Sequence, residues 1–225
     1  MMDAVEISPA ERERRRILDS PVFYATGRGR GRREHLAHAI GHVIVDGLWL
    51  EFGVSRGASL DFIAGQTDRL VHGFDWFEGL PEDWVMASGY HVEPKGSYRG
   101  RPAFTRPNVA LVEGLFERTL PEFLRTHPGP VAFVHVDCDL YSSTRVVLEG
   151  LRDRLVVGTV IAFDELHNYP NYAEHEMKAL LELAATGIEY TYLGHTAQAT
   201  AASLQVTRAE AAATRRVSRL PGDGA

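Results

Sequence analysis

Two acidic segments of this 225-residue chain carry residue types suited to acid–base or metal chemistry. One is His135-Val136-Asp137-Cys138-Asp139 and the other is Phe163-Asp164-Glu165. Each follows an apolar run of strand length, Val131 to Val136 and Val160 to Phe163. If those runs pair in parallel, Asp137, Asp139, Asp164 and Glu165 meet at one rim of a sheet. Carboxylates brought together repel unless protons or a cation neutralise them. A hard divalent cation is the natural partner, and magnesium favours few protein carboxylates with positions left open. Strand alternation would point Asp137 and Asp139 to one side. One could then hold metal while the other takes a proton from a bound hydroxyl. The plainer reading makes Asp139 a helix cap and Asp164 and Glu165 ordinary helix-start acids. His167, in the loop after the acidic pair, is an alternative base, whereas His135 reads as structural.

A glycine-bearing loop, Glu51-Phe52-Gly53-Val54-Ser55-Arg56-Gly57, closes an earlier apolar run. It lacks the third glycine of the dinucleotide pattern G-x-G-x-x-G. It matches G-x-S-x-G, the nucleophile elbow of serine hydrolases, with Ser55 as nucleophile and Asp164 and His195 following in order. Yet it comes after only one strand, and no His-Gly-Gly segment precedes it. It also fits an adenosine-cofactor loop, in which Asp75, at the end of the next strand, accepts the ribose hydroxyls. The loop alone leaves the last two readings open.

The elements that must position these residues follow from periodicity. Strands are expected at Leu48–Phe52, Leu70–Phe74, Val109–Val112, Val131–Val136, Val160–Phe163, Glu189–Leu193 and Ser203–Val206. Helical spacing appears between them, with Ser142 and Ser143 as N-cap residues of one helix. Alternation of this kind predicts an α/β fold, a mainly parallel seven-stranded sheet with helices on both faces. Residues 76–108 show no period and are rich in Gly, Pro, Trp and Tyr, so they read as an inserted lid loop. Residues 1–33 read as a partly flexible N-terminal extension, 34–208 as the domain, and 209–225 as a tail. The basic run Gly27 to Arg33 reads as a solvated loop, because no aromatic residues interleave to stack on bases.

The net charge of −6 disfavours a general nucleic-acid binder. One cysteine, Cys138, permits no intrachain disulfide. No apolar run is long enough to span a membrane, and the first residues lack the apolar core of a signal peptide. The expectation is a cytoplasmic protein that engages neither nucleic acid nor membrane.

Four segments together resemble one family, the macrocin and mycinamicin O-methyltransferases, which includes a noviose O-methyltransferase. They are Phe74-Asp75-Trp76-Phe77-Glu78-Gly79-Leu80-Pro81-Glu82, Glu113-Gly114-Leu115-Phe116-Glu117-Arg118-Thr119-Leu120-Pro121, His135 to Thr144, and Gly158 to Glu165. The likeness runs in order from about Leu48 to Val206. It implies a Rossmann-like class I methyltransferase fold, S-adenosylmethionine, Mg2+, and methyl transfer to a hydroxyl of a sugar or glycosylated natural product. It also implies roles. Asp137, Asp164 and Glu165 would be metal ligands and Asp139 the general base. Glu51, Gly53, Ser55, Asp75 and Gly114 would line the cofactor, bordered by Asp137, with Trp76 and Phe116 near the adenine. Trp76 stands where the family has serine, Phe116 where it has tryptophan, and Glu165 where some members have aspartate. A homo-oligomer is compatible with the resemblance. So is a module that binds S-adenosylmethionine without catalysis, though retained carboxylates argue against it.

Overall fold

Short runs dense in Val, Phe, Leu and Ile build the centre of the protein. The computed structural model describes residues 7–24, 30–87, 91–103, 106–197 and 200–209. Most of the predicted tail and Gly27 to Gly29 lie outside these residues. The principal strands are β2 (Leu48–Phe52), β3 (Val71–Asp75), β6 (Val109–Glu113), β7 (Val131–Val136), β8 (Val160–Phe163), β9 (Glu189–Thr196) and β10 (Ala202–Arg208). A two-residue strand, β1 (Val22–Phe23), pairs in parallel with β9 and makes the sheet eight-stranded rather than seven. It was missed because two residues carry no alternation. The order is β1-β9-β10-β8-β7-β2-β3-β6, and β10 runs antiparallel to both neighbours.

Alternation along the strands serves two cores. Leu50, Phe52, Val134, Val136, Ile161 and Phe163 face one side. There they meet α1 (Pro9–Leu18), α4 (Phe116–Thr126), α5 (Tyr141–Leu151) and α6 (Glu176–Ala185). Trp49, Phe133, Val160 and Ala162 face the other side, against α2 (Arg30–Gly41) and α3 (Ala58–Ala64). In α5 the buried residues Thr144, Val147, Leu148 and Leu151 recur at helical spacing. The cap of that helix differs from expectation. Leu140 holds the N-cap position without a side-chain bond, and Ser142 instead donates to Glu82 Oε1 at 2.6 Å.

The segment before α2 is built into the fold where it is described. Ser8 caps α1 by accepting the Glu11 amide at 3.2 Å, and Pro9 fills the first helical position. Ile17 is fully buried in the core. The 76–108 insertion contains a hairpin, β4 (Trp84–Ala87) with β5 (His91–Glu93). Among the described residues no helix is long and apolar enough to cross a membrane.

Candidate active site

From β2 the chain proceeds outward to β3 and β6 on one side, and β7 and β8 lie on the other. The order reverses between β2 and β7, and ligands of open α/β sheets bind outside the strand ends at such a point. The loop after β2 is tied there. The Asp137 amide donates to the Phe52 carbonyl at 2.8 Å, and Gly53 donates to Phe74 at 3.0 Å. Gly53 has φ 91°, and a Cβ on it would overlap the Asp137 carbonyl oxygen. Only glycine permits both that conformation and that approach.

Asp75 ends β3 and organises the loop. Its Oδ2 accepts the amides of Val54 at 2.9 Å and Ser55 at 2.7 Å, and its Oδ1 accepts that of Phe77 at 2.6 Å. With two lone pairs per oxygen, one acceptor position on Oδ1 remains free of these bonds. Ser55 sits at φ 45° and donates its hydroxyl to the Tyr98 carbonyl at 2.7 Å. His195 contacts Ser20 Oγ at 3.2 Å, and Asp164 pairs with Arg32. Ser55, Asp164 and His195 are therefore each engaged elsewhere, and the hydrolase reading loses its triad.

Along one cleft of about 700 Å³ lie Gly53, Ser55, Asp75, Trp76, Gly114 and Phe116, followed by Asp137, Asp139, Asp164 and Glu165. The Trp76 indole donates to the Gly79 carbonyl. Phe116 meets Phe52 edge to face at 5.3 Å. Gly114, at φ 138°, donates its amide to the Asp75 carbonyl at 3.0 Å. Of the residues to which the resemblance gives a role, Glu51 alone does not line the cleft. It is fully buried behind the loop, and His135, its register partner on β7, meets its Oε1 through Nδ1 at 2.8 Å. Cross-strand neighbours on one face pair in this way. Burial opposes the charge on His135, but Glu51 and the nearby aspartates raise its pKa to about 9.

The acids at the ends of β7 and β8 converge. Each of Asp137, Asp164 and Glu165 offers a carboxylate oxygen, and the three oxygens lie within 4.8 Å of one another. Burial, then the charge of Asp164, pushes the carboxyls of Asp137 and Glu165 well above the usual range. One correction concerns Asp139. Strand β7 stops at Val136, so strand alternation does not orient it. Asp139 turns through a left-handed backbone at φ 61° and still reaches the cleft. Burial, then Asp164, raises its pKa to about 7. His167 does not line that cleft. It is buried, and its pKa is lowered to about 4.

Sequence reasoning missed three contributors. Arg32, from the basic run, places its guanidinium 2.5 Å from Asp164 Oδ2 and 3.0 Å from Glu165 Oε1. Trp84 comes into the cleft on the β4–β5 hairpin. Glu176, fully buried at the start of α6, accepts the Glu165 amide at 3.3 Å. An acid opening a largely apolar helix was the available signal for Glu176. Arg32 had none, because its partners lie more than 130 residues away.

Residues 50–166 match the model of a family described as a methyltransferase domain. The chain belongs to that family. The chain is 31% identical over 173 residues to the 8-demethyl-8-(2,3-dimethoxy-alpha-L-rhamnosyl)-tetracenomycin-C 4'-O-methyltransferase of Streptomyces olivaceus. That alignment takes in 65% of this chain and spans 64% of the relative's length. The calicheamicin methyltransferase CalS11 superposes with a TM-score of 0.65 at 24% identity, over 89% of this chain and 94% of CalS11. An apo structure of CalS11, described as a TDP-rhamnose 3'-O-methyltransferase, gives 0.57 at 25% identity, over 89% and 96%. The O-methyltransferase NovP gives 0.59 at 22% identity, over 79% and 80%. The fold is thus the class I methyltransferase fold, α/β with a mostly parallel sheet.

Proposed function

We propose that this chain transfers a methyl group from S-adenosylmethionine to a hydroxyl of a small molecule, a sugar or a glycosylated natural product, with the help of magnesium. The observation that carries the reading is the meeting, in one cleft, of the Asp75-anchored loop with the acids of β7 and β8. The names of the Streptomyces olivaceus relative and of CalS11, both concerned with rhamnose chemistry, support the sugar.

S-adenosylmethionine supplies an electrophilic methyl on sulfur. The remaining Oδ1 position of Asp75 would accept a ribose hydroxyl, while Gly53, Ser55 and Gly114 keep the backbone close. Trp76 and Phe116 would flank the adenine. Glu51 would act from behind, through His135, by holding the ends of β2 and β7 together. Asp137, Asp164 and Glu165 suit a hard cation, since three oxygens converge and Glu165 Oε2 is buried without a partner. A magnesium ion held there would lower the pKa of the acceptor hydroxyl. Arg32 would have to withdraw from Asp164 and Glu165. Asp139 would take the hydroxyl proton, its pKa near neutrality being apt for a base. The walls align oxygen and methyl, which lowers the entropic part of the barrier.

The test is transfer of label from methyl-labelled S-adenosylmethionine to TDP-rhamnose, with magnesium and with EDTA. Labelled sugar that appears with magnesium and disappears with EDTA is expected. Label that never reaches the sugar would sink the substrate reading, and label that resists EDTA would sink the metal.

A further inference from the structure

The lining of the cleft carries an aromatic group that the proposed chemistry does not use. Trp84 lines the cleft, yet its residue surface is only 4% exposed. Its ring meets Tyr169 edge to face at 6.0 Å and His175 at a right angle at 6.2 Å. Tyr169 in turn stacks on His175 at 6.1 Å. Leu80 and Leu140 complete the apolar patch around Trp84. The wall is braced from outside. His175 Nε2 lies 3.0 Å from the Val85 carbonyl, and Ser142 donates to Glu82. The hairpin is thereby tied to the start of α6 and to α5.

Among the described residues, two polar atoms of this cluster lack partners. The Trp84 indole N–H and the Tyr169 hydroxyl are both buried and neither makes a hydrogen bond. Buried donors of this kind are costly unless something satisfies them. The carboxylates of Asp139 and Glu165 line the same cleft. An aromatic group with spare hydrogen-bonding atoms beside it, in a cleft also lined by carboxylates, fits a molecule with an apolar ring face and a polar rim. A pyranose has that shape. Its axial C–H bonds, polarised by neighbouring oxygens, suit the negative face of an indole. Its hydroxyls suit the donors and the acids.

We propose that Trp84, with Tyr169 beside it, is the seat of the acceptor's sugar ring and positions the reacting hydroxyl toward Asp139. The inference rests on the sugar O-methyltransferase reading and adds the residues that select the ring. The shared ligand chemistry is a rhamnose-type pyranose, whether attached to a nucleotide or to a neutral aglycone.

The experiment compares the full-length protein with Trp84→Ala, Trp84→Phe and Tyr169→Phe. Probes are TDP-rhamnose and methyl α-L-rhamnopyranoside, with magnesium and labelled S-adenosylmethionine. S-adenosylhomocysteine affinity, by calorimetry, reports whether each variant is folded. Trp84→Ala should raise the acceptor KM about 10- to 100-fold. Its S-adenosylhomocysteine affinity should stay within about twofold. Trp84→Phe should recover most of the loss, and Tyr169→Phe should raise KM by less than Trp84→Ala. Parallel losses on both probes would place the effect on the sugar ring. A loss confined to TDP-rhamnose would place it on the nucleotide and overturn the proposal. A Trp84→Ala enzyme with wild-type KM would overturn it while leaving the methyltransferase reading intact. Wild-type protein that binds S-adenosylhomocysteine but methylates neither probe would instead overturn the sugar reading and the inference together.

Discussion

Replacing Asp139 with asparagine separates the proton-transfer role from every structural one. The backbone at this position has φ 61°, a region that asparagine tolerates better than most residues. Alanine there would confound the result by adding strain. The asparagine side chain matches the shape of aspartate but cannot take a proton. Loss of a positioned base slows a reaction by about 10²- to 10⁴-fold, equivalent to about 3–5 kcal/mol of barrier. Stability should move the other way. Burial, then the charge of Asp164, raises the Asp139 pKa to about 7, so above that pH the folded protein holds an unfavourable charge. Asparagine removes it. Without magnesium, Asp139→Asn should melt at a higher temperature than wild type at pH 8. At pH 5 the gap should narrow, because the folded wild-type carboxyl is protonated while that of the unfolded chain still ionises, and it should close only below about pH 4. The assays are single-turnover methyl transfer, calorimetry with S-adenosylhomocysteine, and thermal melts at the two pH values. Turnover at the wild-type rate would refute the base assignment. A lower melting temperature at pH 8 would refute the electrostatic argument behind it.

Three further perturbations follow from the same geometry. Asp75→Asn replaces an acceptor of three amide bonds by a group with one acceptor oxygen, so S-adenosylhomocysteine should bind about 10- to 100-fold more weakly; unchanged affinity in calorimetry would remove Asp75 from the cofactor site. Arg32→Ala frees Asp164 and Glu165 of their internal cation, so magnesium titrated calorimetrically should bind about tenfold more tightly, near 1.4 kcal/mol; weaker binding would mean that Arg32 helps build the metal site. His35 is buried between the Gly194 carbonyl and Ser203 Oγ, and burial lowers its pKa to about 4. The unfolded chain therefore takes up a proton near pH 6.5 that the folded chain refuses, and folding weakens as pH falls from 6.5 to 4. Relative to His35→Gln, wild type should lose about 1.4 kcal/mol per pH unit over that window, and parallel denaturation curves would contradict this.

The parallel core was legible because its strands are buried on both faces and read as continuous apolar runs. Val131–Val136 and Val160–Phe163 were located to the residue. The C-terminal end of β9 was not, because Gly194, His195 and Thr196 lack the apolar signal that marked Glu189 to Leu193, and pairing with β1 and β10 extends the strand through them. The β4–β5 hairpin was invisible for a related reason. It is a small two-stranded sheet whose key residue, Trp84, is buried by contacts with Tyr169 and His175, far away in sequence. The carboxylates were legible as a set, since each followed a recognisable strand. Their counter-charges were not. Arg32 and His135 reach their acids only through the packing of α2 on the sheet and the β2–β7 register.

Those counter-charges differ in one respect that bears on the chemistry. His135 and Glu51 are both buried, and they pair across adjacent strands that the core holds in register. Moving either would mean separating β2 from β7, so this pair is a fixed part of the frame beneath the cofactor loop. Arg32 is 45% exposed at its side chain and bonds through the far end of a long, flexible stem. An exposed ion pair of this kind is worth about 1 kcal/mol or less, although these partners are better buried than Arg32 itself. A divalent cation on the same oxygens would outcompete it. The fold thus keeps one counter-ion locked behind Asp137 and another that can be displaced in front of Asp164 and Glu165. That asymmetry leaves the acidic cluster partly countered at rest, by a cation that the proposed magnesium would displace.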